Sequence, residues 1–149
     1  MSSTSKQIIE KLKDLVSSDF TSGDSGLDMS TSVQIGALIE PPYIPFACLV
    51  FVQSTSQFGQ SLGRYRITYT FEVYCFTGGG NIQERITNSM DLCSDIIKEI
   101  TADRQIGLNS LVDDVKCVFT AEDGDRYGIE GSGIGYIQIE VYTQSDTGA

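Results

Sequence analysis

The stretch Arg64-Tyr65-Arg66-Ile67-Thr68-Tyr69-Thr70-Phe71-Glu72-Val73-Tyr74-Cys75-Phe76 decides the fold. Tyr65, Ile67, Tyr69, Phe71, Val73 and Cys75 alternate with Arg66, Thr68, Thr70, Glu72, Tyr74 and Phe76. A period of two sends the two sets to opposite faces of a strand, so one face is core. The other is polar at its start and aromatic at its end, a mixture that suits contact with another protein. Arg66, Thr68, Thr70, Glu72 and Tyr74 are therefore expected to form a subunit–subunit sheet face.

On the N-terminal side, Phe46–Gln53 is nearly continuously apolar and predicts a strand covered on both faces. Glu40–Pro45 holds every proline of the chain and reads as a stiff lead-in, because proline fixes φ and removes a donor. Pro42 and Pro45 have the PxxP spacing, but the connector is the plainer reading. Val33–Ile39 is expected to be a short extended segment. Between the two main strands lies Ser54–Gly63, all Ser, Thr, Gln and Gly apart from Phe58 and Leu62. It exceeds the roughly 2–5 residues of a hairpin loop, which predicts a polar partner-binding arm. Its expected contact residues are Ser54, Gln57, Phe58, Gln60 and Arg64.

On the C-terminal side, Gly78–Gly80 is not followed by Gly-Lys-Ser/Thr and reads as a flexible turn, not a phosphate loop. Asn81 with Glu84 opens a helix that runs to about Ala102. Ile82, Ile86, Met90, Cys93, Ile96, Ile97 and Ile100 form its expected apolar stripe. Val115, Cys117 and Phe119 alternate in one further strand, and Ile137, Ile139 and Val141 in another. The Asp123-Gly124 step between them is a turn signal. Thr143–Ala149 reads as a flexible tail. At the other end, Ile8, Ile9, Leu12, Leu15 and Val16 predict an amphipathic helix over Ser5–Ser17, with Thr4 and Gln7 as its capping box. Ser18–Ser32 reads as a long loop.

The 149 residues fit one domain, 1–149. The element order predicts an α+β fold, with a largely antiparallel twisted sheet of four to five strands and two helices packed on one face.

Twenty acids against ten bases leave a net charge of −10, which repels phosphate backbones and argues against specific nucleic-acid binding. The chain has no histidine, the commonest general base and metal ligand. Its four cysteines, Cys48, Cys75, Cys93 and Cys117, form no CxxC pair and read as small buried hydrophobes. Asp19, Asp24 and Asp28, like Glu122, Asp123 and Asp125, lack calcium-loop spacing. Glu72 and Glu140 sit on polar strand faces, where solvated acids are the default. Lys116 and Cys117, adjacent in a strand, point to opposite faces, so the lysine cannot activate the thiol. No catalytic, cofactor-binding or metal-ligating residues are expected, and the chain reads as a non-enzyme. No apolar run approaches the ~20 residues of a membrane helix. Met1–Ser5 carries no secretion-signal pattern, which makes a cytoplasm the expected place of synthesis.

Four segments then fall into a familiar order: Ile44-Pro45-Phe46-Ala47-Cys48-Leu49-Val50-Phe51, Tyr65–Tyr74, the helix start Asn81-Ile82-Gln83-Glu84-Arg85-Ile86, and Tyr136–Tyr142. In that order, over about Lys6–Tyr142, the chain resembles the tail terminator, or tail completion, proteins of long-tailed bacteriophages. The resemblance implies a structural virion protein at the head-proximal end of the tail. There a hexameric ring sits on the last ring of tail tube protein, stops tube growth and offers the neck or head-completion protein a docking surface. DNA would pass through its channel without specific binding, and an acidic lining suits such passage. Some of Asp103, Asp113, Asp114, Glu122, Asp123 and Asp125 are expected to be channel or rim acids. Another head–tail connector, such as a head-completion or stopper protein, is the neighbouring alternative. A small-ligand binding domain, which predicts a monomer or dimer with a defined pocket, is the more distant one.

Overall fold

The computed structural model describes residues 2–36 and 41–149, the side chains of 126 and 127 excepted. Helix α1 spans Thr4–Val16. Its cap is Ser3, one residue earlier than expected, whose hydroxyl accepts from the Lys6 N–H at 3.3 Å. Gln7 reaches back to the Ser2 carbonyl instead of completing a box with Thr4. Ile8, Leu12 and Val16 are fully buried, each contributing roughly 1.5–3 kcal/mol of apolar transfer.

The expected loop after α1 is partly folded. Strands β1 (Asp19–Phe20) and β2 (Leu27–Asp28) pair as a small hairpin of their own. β3 (Val33–Ile35) is the described part of the predicted Val33–Ile39 segment; residues 37–39, and Glu40 of the connector, lie outside the described residues. Next come β4 (Phe46–Gly59) and β5 (Arg64–Thr77), then helix α2 (Ile82–Thr101), β6 (Asp114–Asp123) and β7 (Gly133–Ser145). The tail expected from Thr143 thus contributes its first three positions to β7.

The architecture is α+β. β3, β4, β5, β7 and β6 lie side by side in that order. The sheet is mixed: β3 runs parallel to β4 because the chain returns to the same end of the sheet before Phe46, while the other three pairings are antiparallel. This corrects the expectation of a largely antiparallel sheet at one edge. β7 inserts between β5 and β6 and pairs with β5 over its full length, from Tyr65↔Ser145 to Thr77↔Gly133.

Both helices contribute to the same core as the sheet. Ile8, Leu12, Leu92, Ile96 and Ile100 meet Ala47, Leu49, Phe71, Val73, Ile137, Ile139 and Val141. The stripe of α2 is rotated from the expected one. Ser89, Leu92 and Asp95 are buried with Cys93, Ile96 and Ile100, whereas Ile82 and Met90 are exposed. Gly133 and Gly135 on β7 explain the rotation. A Cβ at Gly133 would collide with the Arg85 carbonyl and the Ser89 hydroxyl, and one at Gly135 with the Cys93 sulfur. The small Ser89–Cys93 side of α2 therefore beds onto a strand that has no side chain there.

Candidate interaction surfaces

The expected polar arm is a β-ribbon. Ser54–Gly59 continues β4 and pairs with Arg64–Tyr69, from Ser54↔Tyr69 to Gly59↔Arg64, and only residues 60–63 turn. Local pattern hides this strand because, Phe58 apart, it carries no apolar side chain on either side and is largely exposed. Gly63, at φ 64°, makes the turn, and the Leu62 and Gly63 N–H groups both donate to the Gly59 carbonyl. Arg64 donates to Asp146 at 3.1 Å, tying the C-terminal segment to the ribbon tip. Phe58 meets Tyr65 edge-on at 5.2 Å.

The ribbon does not gather its five expected residues on one side. A register shift between Phe51 and Gln53, a β-bulge at Val52, exchanges the faces. Ser54 and Phe58 share the helix side with Tyr69 and Tyr65, Gln57 lies on the open side with Arg66, and Gln60 is in the turn.

The second predicted set is brought together. Arg66, Thr68, Thr70, Glu72 and Tyr74 lie on the side of β5 away from the core residues Ile67, Phe71 and Val73. Beside them β7 contributes Tyr142, Glu140, Gln138 and Tyr136, opposite Thr68, Thr70, Glu72 and Tyr74. This second row followed the same alternation in sequence, but no local signal set β7 beside β5. Glu72 is not a free solvated acid. It accepts from the Tyr74 hydroxyl at 3.2 Å and from that of Tyr136, while Glu140 accepts from Tyr142. The two glutamates, diagonal neighbours on the sheet, each turn to tyrosine and form no general acid–base pair.

Burial, the hydrogen bond to Glu72 and its charge push Tyr136 up to about 12. The hydrogen bond to Glu140, then burial, push Tyr142 up to about 12 as well. A raised folded value adds stability below the unfolded value, about 10, and that contribution is lost as pH rises through the folded one. In an alkaline titration followed by tyrosinate absorbance, these two side chains should stay protonated after the ordinary tyrosines have ionised. Glu72→Gln should return Tyr136 towards its usual range. A native protein whose tyrosines all ionise together near the free value would contradict this geometry.

The acids expected at a channel separate. Asp103, Asp113 and Asp114 lie where α2 runs into β6; Glu122, Asp123 and Asp125 lie at the far end of that strand. Eight strand steps from Asp114 to Glu122 span about 27 Å, so one rim cannot hold both groups. Asp103 caps a turn by accepting from the Gln105 and Gly107 N–H groups. Asp114 pairs with Arg104 at 3.0 Å, which holds its carboxyl below the usual range. Asp123 is no rim acid. It is buried against Arg85, which donates through Nε at 2.7 Å and through Nη2 at 3.3 Å, and these bonds hold the Asp123 carboxyl low. The cause is again a glycine: Asp123 sits opposite Gly133, whose missing side chain leaves room for Arg85. Asp113 and Asp125 remain exposed, and Asp125 also approaches Arg85 at 3.5 Å.

Two sheet edges complete the surface. Among the described residues β3 covers β4 only at Ala47–Leu49, and no strand pairs with Val50–Gly59 from outside. β6 forms the opposite edge, also without an outer partner strand among the described residues. Each edge exposes two neighbouring large apolar residues, Phe51 and Val52 on β4, Val118 and Phe119 on β6. Among the described residues no three His, Cys, Asp or Glu side chains gather as a metal site would require. No helix among those residues is long and apolar enough to cross a membrane. No protein-family model matches the chain, and no curated protein matches its sequence.

Proposed function

We propose that this chain is a structural virion protein that caps the head-proximal end of a phage tail tube. It ends tube polymerisation and forms the docking interface for the filled head, without catalysis. The observation that carries this reading is the outer half of β4. It is a long strand edge, covered by no described strand, that runs into a β-ribbon. The main core lies on the helix side of the sheet, and a smaller cluster of Phe46, Cys48 and Phe76 lies on the other face at the opposite end of β4. A self-contained binding domain or enzyme has no use for such an edge, whereas a ring built by strand contacts does.

In this reading the chain assembles as a hexameric ring. The ribbon, with Gln57, Phe58 and Gln60, engages the tail tube protein, and the open face of β5 and β7 lies against neighbouring structure. One of the two surface acid groups, Asp103, Asp113 and Asp114 or Glu122 and Asp125, lines the channel rim. The net charge of −10 suits DNA that must slide without being held. Electron microscopy of tails assembled with and without the protein tests the proposal. Overlong tubes that fail to join heads are expected in its absence; tails of normal length that join heads would overturn it. Capture of tube protein in preference to portal protein separates a terminator from a head-completion or stopper protein.

A further inference from the structure

The edge of β4 that no described strand covers has an unusual composition. Between Glu40 and Arg64 the sequence contains no Asp, Glu, Lys or Arg, although the whole chain carries 30 such residues. Exposed edge strands are ordinarily blunted by charge, lysine above all, or by proline, because their unpaired N–H and C=O groups are templates for another strand. From Phe46 to Gly59 neither device is present. The only irregularity is the bulge at Val52, and that residue is 45% exposed.

We infer that β6 of a second copy adds antiparallel to Val50–Gly59 of β4, so that copies join head to tail through one continuous sheet. This deepens the ring reading of the proposed function and rests on it only for the premise that copies associate. Four observations select this occupant. First, β6 is a ten-residue strand, the same length as the run of β4 left uncovered by β3. Second, the direction fits. β4, β5, β7 and β6 alternate in sense, so β6 placed outside β4 continues the alternation and keeps every helix on the same surface. Third, β6 carries Asp114, Lys116, Glu122 and Asp123, and an uncharged partner edge opposes none of them with a like charge. Two β6 strands pairing about a two-fold axis would instead set Asp114 of each near Glu122 and Asp123 of the other, which is unfavourable. Fourth, the junction covers both exposed apolar pairs at once. A β4-to-β4 pairing would leave Val118, 53% exposed, and Phe119 uncovered. A head-to-tail contact uses different patches on its two sides and so propagates into a ring when the rotation closes.

Val52→Asp and Val118→Asp test the two halves separately. Each places a carboxylate where the junction would bury an apolar side chain, at a site exposed in the single chain. Sedimentation velocity of the full chain over a range of concentrations should show wild type forming a species larger than a dimer. Each variant alone should be monomeric. Mixing the two variants should yield a one-to-one dimer, because one carries an intact β6 edge and the other an intact β4 edge. That dimer also proves that both variants are folded. A wild type that stays monomeric at every concentration reached would overturn the inference. So would a Val118→Asp chain that assembles normally, or a mixture that stays monomeric. If the mixture dimerises but tail length does not depend on the protein, the junction stands and the capping function falls. If tails overgrow without the protein while the variants still assemble, the cap stands and its contacts lie elsewhere.

Discussion

Replacing Gly133 with alanine should destabilise the fold by about 3 kcal/mol, the upper end of what overpacking a core usually costs. The new methyl would run into the Arg85 carbonyl and the Ser89 hydroxyl, and the first of these is main chain of α2 that no rotamer can move aside. The helix would have to lift from β7, loosening the Arg85–Asp123 pair that crosses the same gap. Gly135→Ala meets a different obstacle, chiefly the Cys93 sulfur, with the Ser89 carbonyl next at 3.3 Å. Its cost, about 2 kcal/mol, should be largely relieved when Cys93→Ala is added. A double-mutant cycle by urea denaturation should therefore give a coupling of about 1–2 kcal/mol between positions 135 and 93, and almost none between 133 and 93. Equal coupling at both glycines would show that the helix does not sit on β7 as described.

These two glycines also mark where sequence reading reaches its limit. The alternation of Tyr65–Phe76 and of Ile137–Val141 was enough to find the two central strands, because half-burial writes a period of two into the residues. The Asn81–Glu84 start of α2 was equally plain: Asn81 accepts from the Glu84 N–H at 2.9 Å, and Glu84 reaches back to the Gly80 N–H. Hydrophobicity alone favoured Ile82 and Met90 for the buried stripe of α2 and could not see that the small residues opposite would select Ser89 instead. The ribbon escapes the local pattern for a related reason. Ser54–Gly59 is exposed on both faces, so nothing in its side chains repeats, and its strand character comes from pairing with Arg64–Tyr69. Strand order was also invisible locally, since β7 beside β5 is a long-range choice. That choice placed Tyr136 against Tyr74 and Glu72, and Asp123 opposite Gly133, so it reshaped both the open face and the expected rim. The β5 face was legible in advance because it lies within one strand; the acidic set was not, because its members belong to different ends of the sheet.

Asp95→Ala should cost about 2–3 kcal/mol, the scale for stranding partly buried donors that share one acceptor group. Asp95 is buried on α2, and its two carboxylate oxygens accept from the Asp24 N–H at 2.9 Å and the Ser25 N–H at 2.8 Å. The Lys98–Asp24 pair also joins this hairpin to α2, but it is exposed and worth little. Burial pushes the Asp95 carboxyl up, but the hydrogen bonds from Ser25 and Asp24, aided by the Lys98 charge, outweigh it, and the group titrates below its ordinary value. A depressed folded value adds stability above the unfolded value, about 3.9, and the contribution disappears as pH falls through the folded one. The advantage of wild type over Asp95→Asn should thus be full at neutral pH and persist through pH 5. It should shrink only below the ordinary carboxylate range. Asn keeps one acceptor but turns an amide donor towards the second N–H, so it should recover only part of the loss seen with alanine. Hydrogen exchange should place the defect, with faster exchange at Asp24 and Ser25 and unchanged protection along β5 and β7. If the strands lost protection together with the hairpin, Asp95 would be holding the whole core, and its role as a local anchor would be wrong.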